Sequence, residues 1–170
     1  MPLLTRLRGG RRSARVLLVD GGGRVLLFRS LRVMGRPEAG YCWLTPGGGV
    51  RRWERTARAA ARELAEETGL SVPHTALTGP VARTSGHADL GWRTGLFEDV
   101  FYLYRVSRHD VDTGGFEAHE RATIVGHRWW TPEELAAAPE EVYPHGLAAL
   151  LTAILAGRLP ATPVRLPWHH

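Results

Sequence analysis

Apolar residues along this chain fall in short runs whose spacing changes from one segment to the next. Residues 14–30, ARVLLVDGGGRVLLFRS, hold two β-branched and leucine runs around Asp20 and three glycines, which predicts a hairpin. Residues 41–50, YCWLTPGGGV, predict a short strand that breaks into a glycine loop. Residues 54–68 place alanines and a leucine at 57, 60, 61 and 64, one apolar side of a helix, with Gly69 as its stop. Strands are predicted at 78–84 and, richer in aromatic and β-branched residues, at 97–108; residues 112–121 read as loop. Residues 123–138 read as a strand and a short helix, with Thr131 as N-cap, Pro132 at the first helical position and Glu134 completing a capping box. Trp129 and Trp130 then face opposite sides of the strand, one toward the core and the other packed or available to stack on a base. Residues 145–157 predict an apolar amphipathic helix ended by Gly157, and the proline-rich tail, about 158–170, an extended surface segment.

Strands interleave with helices, one crossover is short and the hairpins are antiparallel. The expected fold is therefore a single α/β domain over residues 1–170, a mixed sheet covered by helices on both faces rather than a doubly wound parallel sheet. The chain shows no internal repeat, and its 44% hydrophobic and 23% charged residues are ordinary for a globular domain. All 22 basic residues are arginine and the formal net charge is +5, which favours anionic partners. The arginines are spread out, so nucleic acid is disfavoured, and RLRGGRR at 6–12 reads as a solvated N-terminal segment. The single cysteine, Cys42, excludes an internal disulfide and a cysteine-based zinc site; a reducing, cytoplasmic location is the expectation. No stretch approaches the ~18 apolar residues of a membrane span and no signal peptide opens the chain, so no membrane partner is expected. His169 and His170 are left out of the functional reading.

The helix at 54–68 carries its charges where a helix least favours them. Glu66 and Glu67 lie in its last turn, at the negative end of the dipole, and Glu63 sits three and four residues before them, where like charges repel. At 100° per residue the three carboxylates share an arc of about 100°, bordering the apolar side. Surface glutamates placed for solubility would give the same composition. A hard divalent cation such as Mg²⁺ or Mn²⁺, which prefers oxygen ligands, would reverse the sign of the repulsion.

Upstream residues decide between these readings. From Gly48 the chain runs five residues to Glu54 and seven more to Arg62, then Glu63, Leu64, Glu66, Glu67, Gly69 and Leu70. This is similar to the Nudix box, G-x5-E-x7-R-E-U-x-E-E-x-G-U with U aliphatic, at all nine specified positions over 23 residues. Trp43–Gly48 and HRWWTPEEL at 127–135 also resemble the family. The resemblance implies a Nudix-like α/β/α sandwich with a mixed sheet. It also implies hydrolysis of a nucleoside diphosphate linked to another moiety, water attacking phosphorus, with Mg²⁺ or Mn²⁺ as cofactor. The expected metal ligands are Glu63 and Glu67, with Glu66 as ligand, holder of a metal-bound water or base, and the Gly47 carbonyl as a further ligand by resemblance. Arg62 and Glu54 are expected to form a supporting ion pair. The expected partner is a small-molecule diphosphate, and a homodimer stays open. The alternative from a different class is a Nudix-fold module that binds a nucleotide metabolite without turnover. Diphosphate isomerase chemistry on the same fold needs further acid/base residues that the chain does not reveal.

The general base is expected from the box helix or from a later loop, where Glu117 and Glu120 stand; Glu120 is the favoured one. Glu98 and Asp99 read as solvated strand-end acids that could face the site. His87, His119 and His127 lack a metal-ligand spacing and read as surface or hydrogen-bonded histidines. Arg51 stands where many family members have an acid, and Trp53 where glycine is frequent, which puts the loop's path and charge in question. Arg51 or Arg52 could meet a polyanion or simply be solvated.

Overall fold

The computed structural model describes residues 10–89 and 94–168; residues 6–9 of the arginine-rich segment and His169–His170 lie outside them. The central strand is β1 (Arg11–Val19), and its apolar run has no solvated side. Ala14, Val16 and Leu18 face one core and Leu17 and Val19 the other, which is why the run is nearly continuous. β1 leads through the turn Asp20–Arg24 into β2 (Val25–Leu31), pairing at Val19–Val25. The Asp20 carboxylate accepts the Gly22 and Arg24 N–H groups and holds the Arg24 guanidinium, so the hairpin turn is built by one acid.

The remaining strands are β3 (Tyr41–Leu44), β4 (Gly47–Gly49), β5 (Thr78–Asp89), β6 (Thr94–Arg105), β7 (Ile124–Trp130), β8 (Glu141–Tyr143) and β9 (Val164–Arg165). Among the described residues they form one mixed sheet in the order β8-β3-β2-β1-β6-β5-β9, with β4 also on β1 and β7 also on β2. β1 runs parallel to β6 over its whole length, Arg11 beside Phe97 to Val19 beside Arg105. The helices are α1 (Thr56–Thr68), α2 (Ala118–Thr123), α3 (Pro132–Ala136) and α4 (Leu147–Leu155). α1 buries Ala59, Ala60 and Leu64 on one face of the sheet, while Leu135 of α3 and Leu147, Leu150, Leu151 and Ile154 of α4 cover the other. The result is the α/β/α sandwich with a mixed sheet. No helix among the described residues is long and apolar enough to cross a membrane.

Several local expectations change. The glycine loop is a strand: Gly47, Gly48 and Gly49 pair with Arg15, Ala14 and Ser13 of β1. β5 and β6 are longer than their apolar runs, because each supplies the other's ladder from Ala82–Phe101 to Asp89–Thr94. The 112–121 loop ends in α2, whose capping box joins Glu117 and Glu120, a pair of acids that composition alone does not mark as a helix start. Arg11 and Arg12 open β1, Arg11 half-buried and Arg12 exposed. The tail is extended, yet it is no bare surface segment: β9 pairs with β5 and Leu166 is buried. The capping box at Thr131 and Glu134 forms as expected, and Trp130 enters the core against Trp43 while Trp129 packs on the opposite side.

Trp53 gives the loop departure a physical form. It lies in the left-handed region at φ 66° and is 90% exposed, with the Arg52 guanidinium 5.3 Å from its ring centre. The chain keeps a glycine-like turn there and places a bulky residue in it, at a cost of about 1–2 kcal/mol. Trp53→Gly should therefore leave stability unchanged or raise it by up to about 1 kcal/mol, the gain trimmed by the extra freedom of glycine in the unfolded chain. Urea unfolding of both proteins measures this; a substantial loss would mean that the indole contributes a contact.

Candidate active site

The acidic end of α1 is fixed by its stop and by its neighbours. Gly69 takes φ 74° and donates its N–H to the Ala65 carbonyl at 3.0 Å, closing the helix one residue past Thr68. The last turn thereby lies under β4. Gly48 has no side chain for a steric reason: a Cβ there would stand 2.7 Å from the Glu63 carboxylate. Gly47 donates its N–H to Glu67 Oε2 at 2.8 Å.

Arg62 organises the acids. Its Nε and Nη2 reach the two oxygens of Glu54, both at 2.9 Å. Its Nη1 meets Glu63 at 2.6 Å and Glu66 at 3.3 Å, and Nη2 also donates to the Gly49 carbonyl at 3.0 Å. The hydrogen bond from Arg62 holds Glu54 below the ordinary carboxylate range, and Glu54 in turn raises Arg62 further. Glu54 also accepts the Arg51 N–H, tying the turn to the helix.

Glu63 and Glu67, 7% and 5% exposed, meet a third buried acid, Glu120 at 8%; one oxygen of each lies within 4.8 Å of the others. Burial pushes Glu63 up against the pull of Arg62. It pushes Glu67 up to about 8, offset only in part by the Gly47 N–H and by the nearby charge of Arg15. Among the described residues no cation forms a salt bridge with Glu67. Three buried oxygen ligands with an unpaired charge suit a hard divalent cation. Glu120 accepts the Glu117 N–H at 2.6 Å through one oxygen and meets His119 Nε2 at 2.7 Å through the other. The fold thus brings together Glu63, Glu67 and Glu120, places Gly47 beside them and sets Arg62 and Glu54 behind them. Glu66 stands apart from the three, half-exposed between Arg62 and Arg51, the latter at 3.6 Å.

Glu67 and Glu120 line a cleft of about 240 Å³ together with Gly47, Arg15, Asp99 and Trp168. The cleft opens where β4 takes the place beside β1. A larger hollow of about 660 Å³ lies between β8 and the start of α4, away from these acids, and holds none of the box residues. Sequence reading missed the cleft's Arg11, Ser13 and Arg15. Their alternation in front of the β1 apolar run is the signal that could have found them. Asp99 is not a solvated strand end: it lies within β6, lines the cleft and stands 3.7 Å from Arg15. Glu98 points elsewhere, to Arg12 and Arg83. His119 is an exposed histidine in contact with Glu117 and Glu120, with which it forms a compact group.

Known proteins resemble this chain in family and in fold. The NUDIX domain model matches residues 9–150. Over 129 residues the chain is 30% identical to the RNA pyrophosphohydrolase of Novosphingobium aromaticivorans, covering 71% of this chain and 76% of that protein. A 65-residue stretch is 46% identical to the octanoyltransferase of Myxococcus xanthus; it covers 36% of this chain and spans only 17% of that longer protein. The MutT protein from Methanosarcina mazei Go1 superposes with a TM-score of 0.62 at 17% identity, over 88% of this chain and 96% of that one.

The buried state of Glu67 has a measurable sign. Folding raises its pKa from the usual 4.5 to about 8, so its proton binds the folded state more tightly. The stability this supplies is complete below about pH 4.5 and is lost as pH rises through about 8. In excess chelator, the melting temperature of the parent should fall relative to that of Glu67→Gln between pH 5 and pH 8. At pH 8 the variant should be the more stable, by about 1 kcal/mol or more. A difference that stays flat across this range would show that Glu67 titrates as an ordinary surface acid.

Proposed function

The chain belongs to the Nudix hydrolase family, and we propose that it hydrolyses the diphosphate linkage of a nucleoside diphosphate joined to a second moiety, with Mg²⁺ or Mn²⁺ as cofactor. The observation that supports this reading is the convergence of buried Glu63, Glu67 and Glu120 beside a cleft that Glu67 and Glu120 line together with Arg11, Ser13 and Arg15. Acids alone would repel a polyphosphate, and arginines alone would bind it without activating it.

Glu63 and Glu67 would hold the cation, with the Gly47 carbonyl as a further ligand. Bound there, the cation supplies Lewis-acid polarisation of phosphoryl oxygens and offsets charge in the transition state. Arg15, whose Nη1 donates to the Thr45 carbonyl at 3.0 Å, is fixed in the cleft and offers its remaining donors to phosphate oxygens. Glu120 is assigned to take the proton from the attacking water. The new phosphorus–oxygen bond forms as the bridging one breaks, and the bridging oxygen leaves with its electron pair. His119, 61% exposed and in contact with Glu120, gives that proton a route to solvent. Arg62 acts through the carboxylates it holds and is a positioning residue. Glu66 braces the far side of Arg62 and meets Arg51 at the rim.

Turnover with Mg²⁺ or Mn²⁺ should be found in a panel of nucleoside triphosphates, nucleotide sugars, ADP-ribose and dinucleotides. A 5′-triphosphorylated RNA belongs in the panel because the relative from Novosphingobium aromaticivorans bears the name RNA pyrophosphohydrolase. Product analysis by chromatography reads it; activity that survives excess chelator, or no product from any member, would sink the proposal. The second outcome with binding retained would support a non-catalytic binding module.

Three variants separate the roles. Glu120→Gln should lower kcat by about 10²- to 10⁴-fold with a smaller loss of Mn²⁺ affinity than Glu67→Gln, whose carboxylate would hold the cation. Arg62→Ala should lower kcat with KM nearly unchanged. A large rise in KM with kcat held would place Arg62 on the substrate instead.

A further inference from the structure

The end of the chain forms a wall of the same cleft. β9 adds in parallel to the outer edge of β5, Val164 beside Ala82 and Arg165 beside Arg83, and the Leu166 N–H donates to the Arg83 carbonyl at 2.9 Å. Leu166 is buried in the core shared with α4. Pro163 and Pro167 flank this anchor and restrict the strap's backbone. The strap then continues along β5 to Trp168, whose Nε1 donates to the His87 carbonyl at 3.2 Å.

The ring has a seat made for it. A Cβ on Gly86 would come within 2.2 Å of Trp168 Cδ1 and 2.3 Å of Cγ, so only glycine admits the indole there. Phe97 is the cross-strand partner of Gly86, and its ring lies nearly parallel to the indole, 21° apart with centroids at 6.4 Å. Both rings line the cleft that holds Glu67 and Glu120. Thr45 lines it too. It is 3% exposed, and its buried hydroxyl has no hydrogen-bond partner among the described residues. The Asp99 carboxylate adds an acceptor. An aromatic wall beside an unsatisfied hydroxyl and a carboxylate matches a flat heterocycle with a hydrogen-bonding edge.

We infer that Trp168 is the stacking surface for the base of the nucleotide, so that the C-terminal strap builds the base-binding half of the site. This rests on the reading of the cleft as a nucleotide diphosphate site. It adds the residue that recognises the nucleoside, and it assigns base recognition to a segment far from the acidic helix in sequence.

The test is calorimetric titration of the full chain in excess chelator with AMP, GMP, CMP and UMP, and with ribose 5-phosphate as the base-free control. The parent should bind at least one of the four monophosphates about tenfold or more tightly than ribose 5-phosphate, the scale of one base–aromatic stack. Trp168→Ala should erase most of that difference, and Trp168→Phe should keep it within about threefold. Gly86→Ala, which retains the indole but unseats it, should behave like Trp168→Ala. Ribose 5-phosphate should bind all four proteins alike. The inference is overturned if the parent shows no preference for a monophosphate, or if Trp168→Ala or Gly86→Ala binds as the parent does. It is also overturned if nucleotide and ribose phosphate affinities fall together, since the strap would then only support the fold. Because the titration measures no turnover, a chain that hydrolyses no diphosphate can still pass it, and an active hydrolase can still fail it.

Discussion

One guanidinium holds the acidic end of α1 in order. Arg62 makes five hydrogen bonds: two to Glu54, one each to Glu63 and Glu66, and one to the Gly49 carbonyl. A helix that gathers three acids in its last turns works against its own dipole and against mutual repulsion. The planar fork of arginine meets that problem in a way lysine could not, because its five donors point outward in one plane. The contact to Gly49 also locks the helix to β4. Position of the glycine strand, direction of the carboxylates and path of the turn through Glu54 therefore depend on one side chain.

Arg62 does not neutralise everything. It faces Glu63 and Glu66, but Glu67, on the inner side, is left with a backbone N–H and the more distant charge of Arg15. The fold thereby keeps a carboxylate that burial drives toward its protonated form. Such a group is a cost in an empty core and an asset where a cation binds, the usual division between stability and function at an active site. Gly48 sets how close the strand and the acid can come. Strand, helix and charge are matched to within the size of one methyl group.

What could be read from sequence followed the range of the interactions. α1 and its acids were legible because helical period, stop signal and box spacing all act within about two dozen residues. The Thr131 cap was legible for the same reason. Glu120 was singled out from loop position, but its meeting with Glu63 and Glu67 depends on α2 folding back over the sheet, which no local pattern encodes. Residues 6–12 look like a solvated basic segment; Arg12 is indeed exposed, but pairing with β6 makes Arg11 and Arg12 strand. The prolines of the tail mark extended surface chain, and it is extended and mostly exposed; that two residues between them join a sheet edge and Leu166 is buried is what the local pattern leaves out. Trp168 and Gly86 stand 82 positions apart, and neither explains the other until they are in contact.

The strap has a second effect, on how the molecule meets its own copies. A sheet ending in β5 would offer a long row of unpaired amide and carbonyl groups, a template for another chain. β9 occupies part of that row, and Trp168 covers the face beside it. At the opposite border β8 is only three residues long, too short to recruit much. Resistance to edge-to-edge association and the shape of the ligand cleft are thus vested in the same few C-terminal residues. Any change in the shape of the cleft on that side would have to keep that border closed.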